Sequence, residues 1–175
     1  GPSFKSANDV FIGPASYINL MGDDRQSGLQ YLSYSMNGAL AETKYEKPFQ
    51  LNTNSGSHKI EIFGYDNVNN RNVNQTTVLY DANPPKILPN FSVGQVGQVN
   101  ELPVYPAHMT LFLAATEEMV GNDKISYQIN SSPEQLYVNS LSQWQKGTIY
   151  RIKIRAIDKV GNEAVSELSF RVADK

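Results

Sequence analysis

The side chains best placed to do chemistry sit in two copies of one short turn. Ile60-Glu61-Ile62-Phe63-Gly64-Tyr65 runs into Asp66-Asn67-Val68-Asn69-Asn70, and Ile152-Lys153-Ile154-Arg155-Ala156-Ile157 runs into Asp158-Lys159-Val160-Gly161-Asn162. An Asp heading such a turn accepts backbone N–H bonds from the residues after it, an Asx-type closure. Asn69 or Gly161 then supplies an adaptable φ, and Asn70 or Asn162 closes the turn. The same oxygens suit a hard cation, which takes six to eight oxygen ligands. A Ca²⁺ site at this turn would draw on Asp23, Asp24, Asp66, Asn67 and Asn70 in the first copy. In the second it would draw on Glu117, Glu118, Asp158 and Asn162, and Glu117 follows Asp24 by 93 positions. Neither copy has the dense Asp-x-Asp-x-Asp spacing of a dedicated calcium loop. Local turn closure is therefore the preferred reading, and no cofactor is expected.

Other chemistries are weaker. Cysteine is absent, which removes disulfides, thiolate metal sites and thiol nucleophiles. His58 and His108 are the two histidines, and neither has a second His or Cys at ligand spacing, which argues against zinc. His58 is expected to face solvent. No Gly-x-Ser-x-Gly elbow is present, so an enzyme is not expected. Aromatic side chains could stack on sugars. Tyr34, Tyr127 and Trp144 recur at equivalent positions and read as packing, whereas Phe63 falls on the outward face by alternation. Phe63, Tyr65, Asp66 and Asn67 form the candidate ligand surface. A net charge of −2 without a basic run argues against nucleic acid and anionic membrane. No apolar run approaches the ~20 residues that span a bilayer, so this stretch is not expected to insert.

The elements that position these residues are strands. Apolar residues make up 40% of the 175 and charged residues 18%, enough to bury a core. Residues 8–13, 16–21, 29–37, 43–45, 49–51, 59–65 and 76–80 read as short strands separated by turns, and none shows helical periodicity. Asn37-Gly38 is a strong turn signal, since both residues tolerate positive φ. Along 59–65, Ile60 and Ile62 point inward while Lys59, Glu61 and Phe63 point outward. Asp81-Ala82-Asn83-Pro84-Pro85 marks a boundary, because two prolines remove two donors and force an extended linker.

Beyond that linker the landmarks recur. Ser33-Tyr34, Asn37 and Leu51 map to Ser126-Tyr127, Asn130 and Trp144 at an offset of 93, and Asp66 and Asn70 map to Asp158 and Asn162 at 92. Strands are expected near 86–88, 109–115, 148–157 and 164–172. Phe91–Tyr105, with its Val-Gly-Gln-Val-Gly-Gln-Val core, reads as a bulged edge strand, a loop over an edge, or an insertion that pairs with a partner strand. The fold class is all-β: two tandem immunoglobulin/fibronectin-III-like antiparallel β-sandwiches, residues 4–83 and 84–175, the second carrying the extended segment 91–105. In that topology the loop 22–28 and the Asp66 turn share one pole.

The motifs Asp-x-x-Ser-Gly (24–28), Tyr-Ser-Met-Asn-Gly (34–38), Pro-Phe-x-Leu (48–51), Gly-Ser-His-Lys-Ile (56–60), Tyr-Asp-x-Val-x-Asn (65–70) and Asp-x-x-Pro-Pro (81–85) resemble the OmpL-type bacterial Ig-like surface repeat. They also resemble the related C-terminal Ig-like module of chitobiase-like hydrolases. The second copy is divergent: it keeps 125–130 and 157–162 but lacks the Ser-Gly and Pro-Phe elements. The resemblance implies tandem modules of an exported bacterial surface, periplasmic or extracellular protein, without catalysis. The expected role is a spacer, adhesion or protein-interaction segment, whose partners are a protein or glycan on a cell surface and the adjacent domains of a longer chain. The alternatives are an accessory carbohydrate-binding module of a secreted hydrolase and a calcium-stiffened structural module. Gly1-Pro2-Ser3 reads as a protease-cleavage remnant, so a longer parent chain is expected.

Overall fold

The computed structural model describes residues 1–7 and 9–174. Asn8, the first residue of an expected strand, and Lys175, the last of the second expected domain, lie outside them. The chain is all-β and forms two compact units, Gly1–Asn83 and Pro84–Lys175.

In the first unit, strands β1 (Ser3–Ser6), β2 (Asp9–Ile12), β3 (Leu29–Met36), β4 (Thr43–Lys44), β5 (Gly56–Asp66) and β6 (Arg71–Tyr80) make one sheet in the order β1-β2-β6-β5-β3-β4. In the second unit, β7 (Lys86–Phe91) pairs with β10 (Leu111–Thr116). The other strands there are β8 (Gly97–Val99), β9 (Leu102–Tyr105), β11 (Asn122–Ile129), β12 (Gln135–Leu136), β13 (Ile149–Asp158) and β14 (Glu163–Val172). They form a sheet in the order β12-β11-β13-β14-β9-β8. The two six-stranded sheets are the same sheet written twice.

The duplication reaches individual residues. β3 slips register against β5 between Leu29 and Tyr31, and β11 slips against β13 between Asn122 and Lys124. Asn37 and Asn130 both take positive φ, 52° and 51°. Each side-chain amide oxygen accepts the N–H of the next strand, Lys59 at 3.0 Å and Arg151 at 2.9 Å. Only a residue tolerant of left-handed backbone and carrying a short acceptor can do both, which is why Asn holds the place twice.

Several expectations need correction. The sandwich is not purely antiparallel: β2 runs parallel to β6, and β9 parallel to β14. Phe91–Tyr105 is no insertion. It contains the β8–β9 hairpin, the copy of β1–β2, and the hairpin is held at the sheet edge by β14. The expected strands 16–21 and 49–51 shrink to a single bridge between Ile18 and Phe49. Its counterpart is the Leu111–Leu141 bridge, but there β10 goes on to pair with β7.

The cores differ accordingly. The second unit buries Met109, Leu111, Leu113, Ile152, Ile154 and Phe170, with Trp144 beside them donating its indole N–H to the Met109 carbonyl at 3.0 Å. The first unit's cluster is smaller: Ile12, Leu51, Ile60, Val78 and Tyr80, with Tyr34 stacked on Phe49 at 4.3 Å.

Candidate functional site

In each unit the loop before the third strand of the shared sheet meets the Asp turn. Asn67 N donates to the Gly28 carbonyl at 3.1 Å, and Lys159 N to the Gly121 carbonyl at 3.3 Å. The turns close as Asx chemistry requires. Asp66 Oδ1 accepts from Val68 N and Asn70 N at 2.9 and 2.8 Å, and Oδ2 accepts from Asn70 Nδ2 at 2.7 Å. Asp158 repeats the set with Val160 N, Asn162 N and Asn162 Nδ2 at 2.9, 2.9 and 2.8 Å. The fourth turn residue makes this possible in both: Asn69 and Gly161 sit at φ 67° and 91°.

The settings differ. Asp158 is fully buried, whereas Asp66 is partly open and borders a cleft. Partial burial works to raise the Asp66 pKa. The donations from Ser27 Oγ, Asn70 and Val68 outweigh it and bring the value down to about 2. Asp24 is lowered mainly by Ser27 Oγ, with Gln26 N adding to it, while the neighbouring Asp66 charge opposes. Ser27 Oγ lies 2.7 Å from Asp24 Oδ2 and 2.7 Å from Asp66 Oδ2. A hydroxyl carries one proton, so it serves one carboxylate at a time. Sequence reasoning passed over Ser27, although the Asp-x-x-Ser spacing that lets it reach back to Asp24 was in view.

Glu117 holds the corresponding place in the second unit but turns inward on its own loop. Its carboxylate accepts the N–H groups of Met119, Val120 and Gly121. Burial would raise its pKa, and those N–H groups lower it. Asp23 pairs with Arg25 at 3.3 Å on the surface, and Glu118 is exposed. Asn67 Nδ2 is committed to the Ser27 and Gly28 carbonyls. Among the described residues, no three His, Cys, Asp or Glu side chains gather as a metal-holding group.

Phe63 is buried, not a surface platform. Its face of the sheet is covered by Arg71, whose guanidinium lies 4.2 Å from the ring. Arg71 Nε donates to Tyr65 Oη at 2.9 Å, and Arg71 Nη2 to Glu42 Oε1 at 2.8 Å. Tyr65 stacks on Tyr31 at 4.6 Å. Glu42 also accepts the Ser33 and Tyr65 hydroxyls, and Ser33 leads the causes that lower its pKa. His58 is buried as well. Asn37 Nδ2 donates to its Nδ1 at 3.1 Å, and its Nε2 donates to the Asn54 carbonyl at 2.9 Å. Both corrections have one cause: alternation assigns a face, but partners remote in sequence decide whether that face is covered.

The pole of the first unit opens into a cleft of about 440 Å³. Leu29, Leu32, Ile62 and Gly64 give it an apolar floor, and Asp24 and Asp66 stand at its rim.

No family model and no curated protein matches the chain in sequence. Among solved structures, the fibronectin(III)-like modules of Clostridium thermocellum CbhA align over 95% of this chain and 90% of theirs, at 8% identity and a TM-score of 0.44. A Ca²⁺-stabilised adhesin that helps an Antarctic bacterium reach out and bind ice aligns over 94% of this chain, at 12% identity and a TM-score of 0.37. This chain spans 46% of that adhesin. The immunoglobulin/fibronectin-III-like fold is defined here by the chain's own strand order and register. Among the described residues, no helix is long and apolar enough to cross a membrane.

Proposed function

We propose that this chain is a non-catalytic pair of Ig-like modules from an exported bacterial surface protein, of the OmpL-type repeat class. It serves as a spacer and adhesion segment. The observation that carries this reading is the residue-level repetition of one sheet, including its bulge, its left-handed Asn and its Asp turn. Repeating a stiff unit is how an extended protein gains reach with each added copy. The acidic and amide side chains at both poles hold their own loops in shape, a structural use of residues that could otherwise bind. The test is adhesion of cells displaying the parent protein with this pair deleted, kept or doubled. Adhesion that tracks the number of pairs supports a spacer. Adhesion that ignores their number but fails with Asp66→Ala moves the role to direct contact at the pole. Adhesion unaffected by either change removes the reading.

Calcium stiffening of the first unit is the second reading. It rests on the two carboxylates that share the single Ser27 hydroxyl proton. A melting temperature of the chain that is unmoved between millimolar Ca²⁺ and chelator removes it.

A further inference from the structure

The cleft in the first unit has a counterpart in the second that is filled. There β7 lies antiparallel on β10, with Phe91 opposite Leu111 and Lys86 opposite Thr116. Ile87 and Phe91 point into the core, where Phe91 stacks on Tyr105 at 4.1 Å and meets Phe170 edge-on at 5.5 Å. Beneath it, Ile154 and Ala156 are fully buried. At the 93-residue offset, Leu111–Thr116 maps onto residues 18–23. Ile18 bridges to Phe49 as Leu111 bridges to Leu141, so this segment is in place. Yet among the described residues, Asn19–Asp23 makes no backbone hydrogen bond to a second strand. Ile62 and Gly64, the equivalents of Ile154 and Ala156, line the open cleft instead.

The neighbouring strand records the same vacancy. β14 alternates exposed with half-buried residues from Glu163 to Leu168 and buries Phe170 and Val172, but β6 is exposed at every position from Arg71 to Thr77. A ten-residue strand in the middle of a sheet exposes both faces only when one of them lacks its cover. The start of the described chain lies beside this edge, since Ser16 Oγ donates to the Pro2 carbonyl at 2.7 Å. By the repeat offset Gly1 corresponds to Gly94, three residues past Phe91.

We propose that the cleft is a strand-acceptor groove. It seats an extended segment that precedes the first unit in the parent chain, which hydrogen-bonds antiparallel to Ile18–Asp23 and drives two apolar side chains onto Leu32, Ile62 and Gly64. The segment has the chemistry of Lys86–Val93: a β-strand with aliphatic and aromatic residues on one face. Main-chain pairing supplies the affinity and the alternate side chains supply the register. The unpaired edge and the apolar floor are satisfied together, as they are in the second unit.

The test is to fuse a copy of Lys86–Val93 directly ahead of Gly1 in the full chain and follow amide exchange residue by residue. Seating the strand slows exchange along Asn19–Asp23 by at least about tenfold and raises the first unit's melting temperature by about 4–8 °C. A second fusion, with aspartate at the copies of Ile87 and Phe91, gives neither effect. Trp144, the only tryptophan, confirms in both that the second unit stays folded. Unchanged exchange along Asn19–Asp23, or equal protection by both fusions, overturns the proposal. Protection by the free peptide but not by the fusion also overturns it, because the strand would then come from another chain.

Discussion

Leu111 and Ile18 hold the same place in two copies of one fold, and their surroundings separate the copies. Leu111 is inaccessible to solvent, bridged to Leu141 on one side and paired with β7 on the other. Among the described residues, Ile18 has the bridge but no second strand, and it remains half-buried. The six-stranded sheet survived duplication down to its bulge, while closure of the sandwich did not. Hydrogen-bonded register is therefore fixed locally, by the Asn and Asp turns that each copy carries. Burial of the inner face depends on a strand contributed from elsewhere along the chain.

Truncating the two equivalent residues should expose that contrast most strongly. Leu111→Ala removes a fully packed side chain and should cost about 2–5 kcal/mol. Ile18→Ala removes a side chain that is only half-buried and should cost about 1 kcal/mol or less. Urea unfolding followed by Trp144 fluorescence reads the first, and amide exchange within β5 reads the second. Equal costs would mean that the first unit is closed in solution.

The buried turn should respond more than the open one. Asp158→Ala strands the N–H groups of Val160 and Asn162 in a dry site and should cost about 2–3 kcal/mol. Asp66→Ala leaves donors that water can reach, so its effect should be smaller. Exchange rates of the amides at Val160, Asn162, Val68 and Asn70 compare the two directly.

Acid should act on the first unit through Asp66. Its folded pKa of about 2 lies below the ordinary Asp value near 3.9. Folding is therefore favoured by ionisation, and the contribution is complete above about pH 4 and lost as pH falls toward 2. The Asp66→Asn variant should flatten this dependence. A pH profile of first-unit melting that is unchanged by the substitution would show that the carboxylate does not set it.

The parts of the fold legible in the sequence were those written in adjacent residues. Asp66 with Asn70, and Asn37 with its turn, announce backbone geometry within five positions. The common pole of the two loops followed from topology, and the Asn67–Gly28 bond joins them. What escaped was set at long range. Arg71 covers Phe63 from the next strand, and Asn37 with Asn54 buries His58. The outer face shows why such covering resists reading. Ser33 with Glu42 and Ser126 with Glu134 recur as donor and acceptor, but the arginine changes strand. Arg71 reaches Glu42 from β6, while Arg155 reaches Glu134 and Glu163 from β13, at the position that Phe63 occupies in the first copy. The Ser–Glu pair is kept between copies while the arginine that joins it comes from a different strand. The open cleft was invisible for a related reason: the landmarks align between copies, and the filled strand Lys86–Phe91 has no counterpart among the described residues of the first unit to compare.

The smallest expected effect concerns the left-handed turn position, where one copy has Asn and the other Gly. Asn69 and Gly161 both sit in the left-handed region, at φ 67° and 91°, and each follows an Asp whose oxygens are already committed. Asn tolerates that region better than other residues with a side chain, so Gly161→Asn should cost less than about 1 kcal/mol. A β-branched side chain does not, and Gly161→Val should cost about 1–3 kcal/mol. Urea midpoints of the second unit, read by Trp144, give both values. If valine is tolerated as well as asparagine, the Asp158 hydrogen bonds are not holding the turn at positive φ. The first copy would then owe its Asn to something other than backbone geometry.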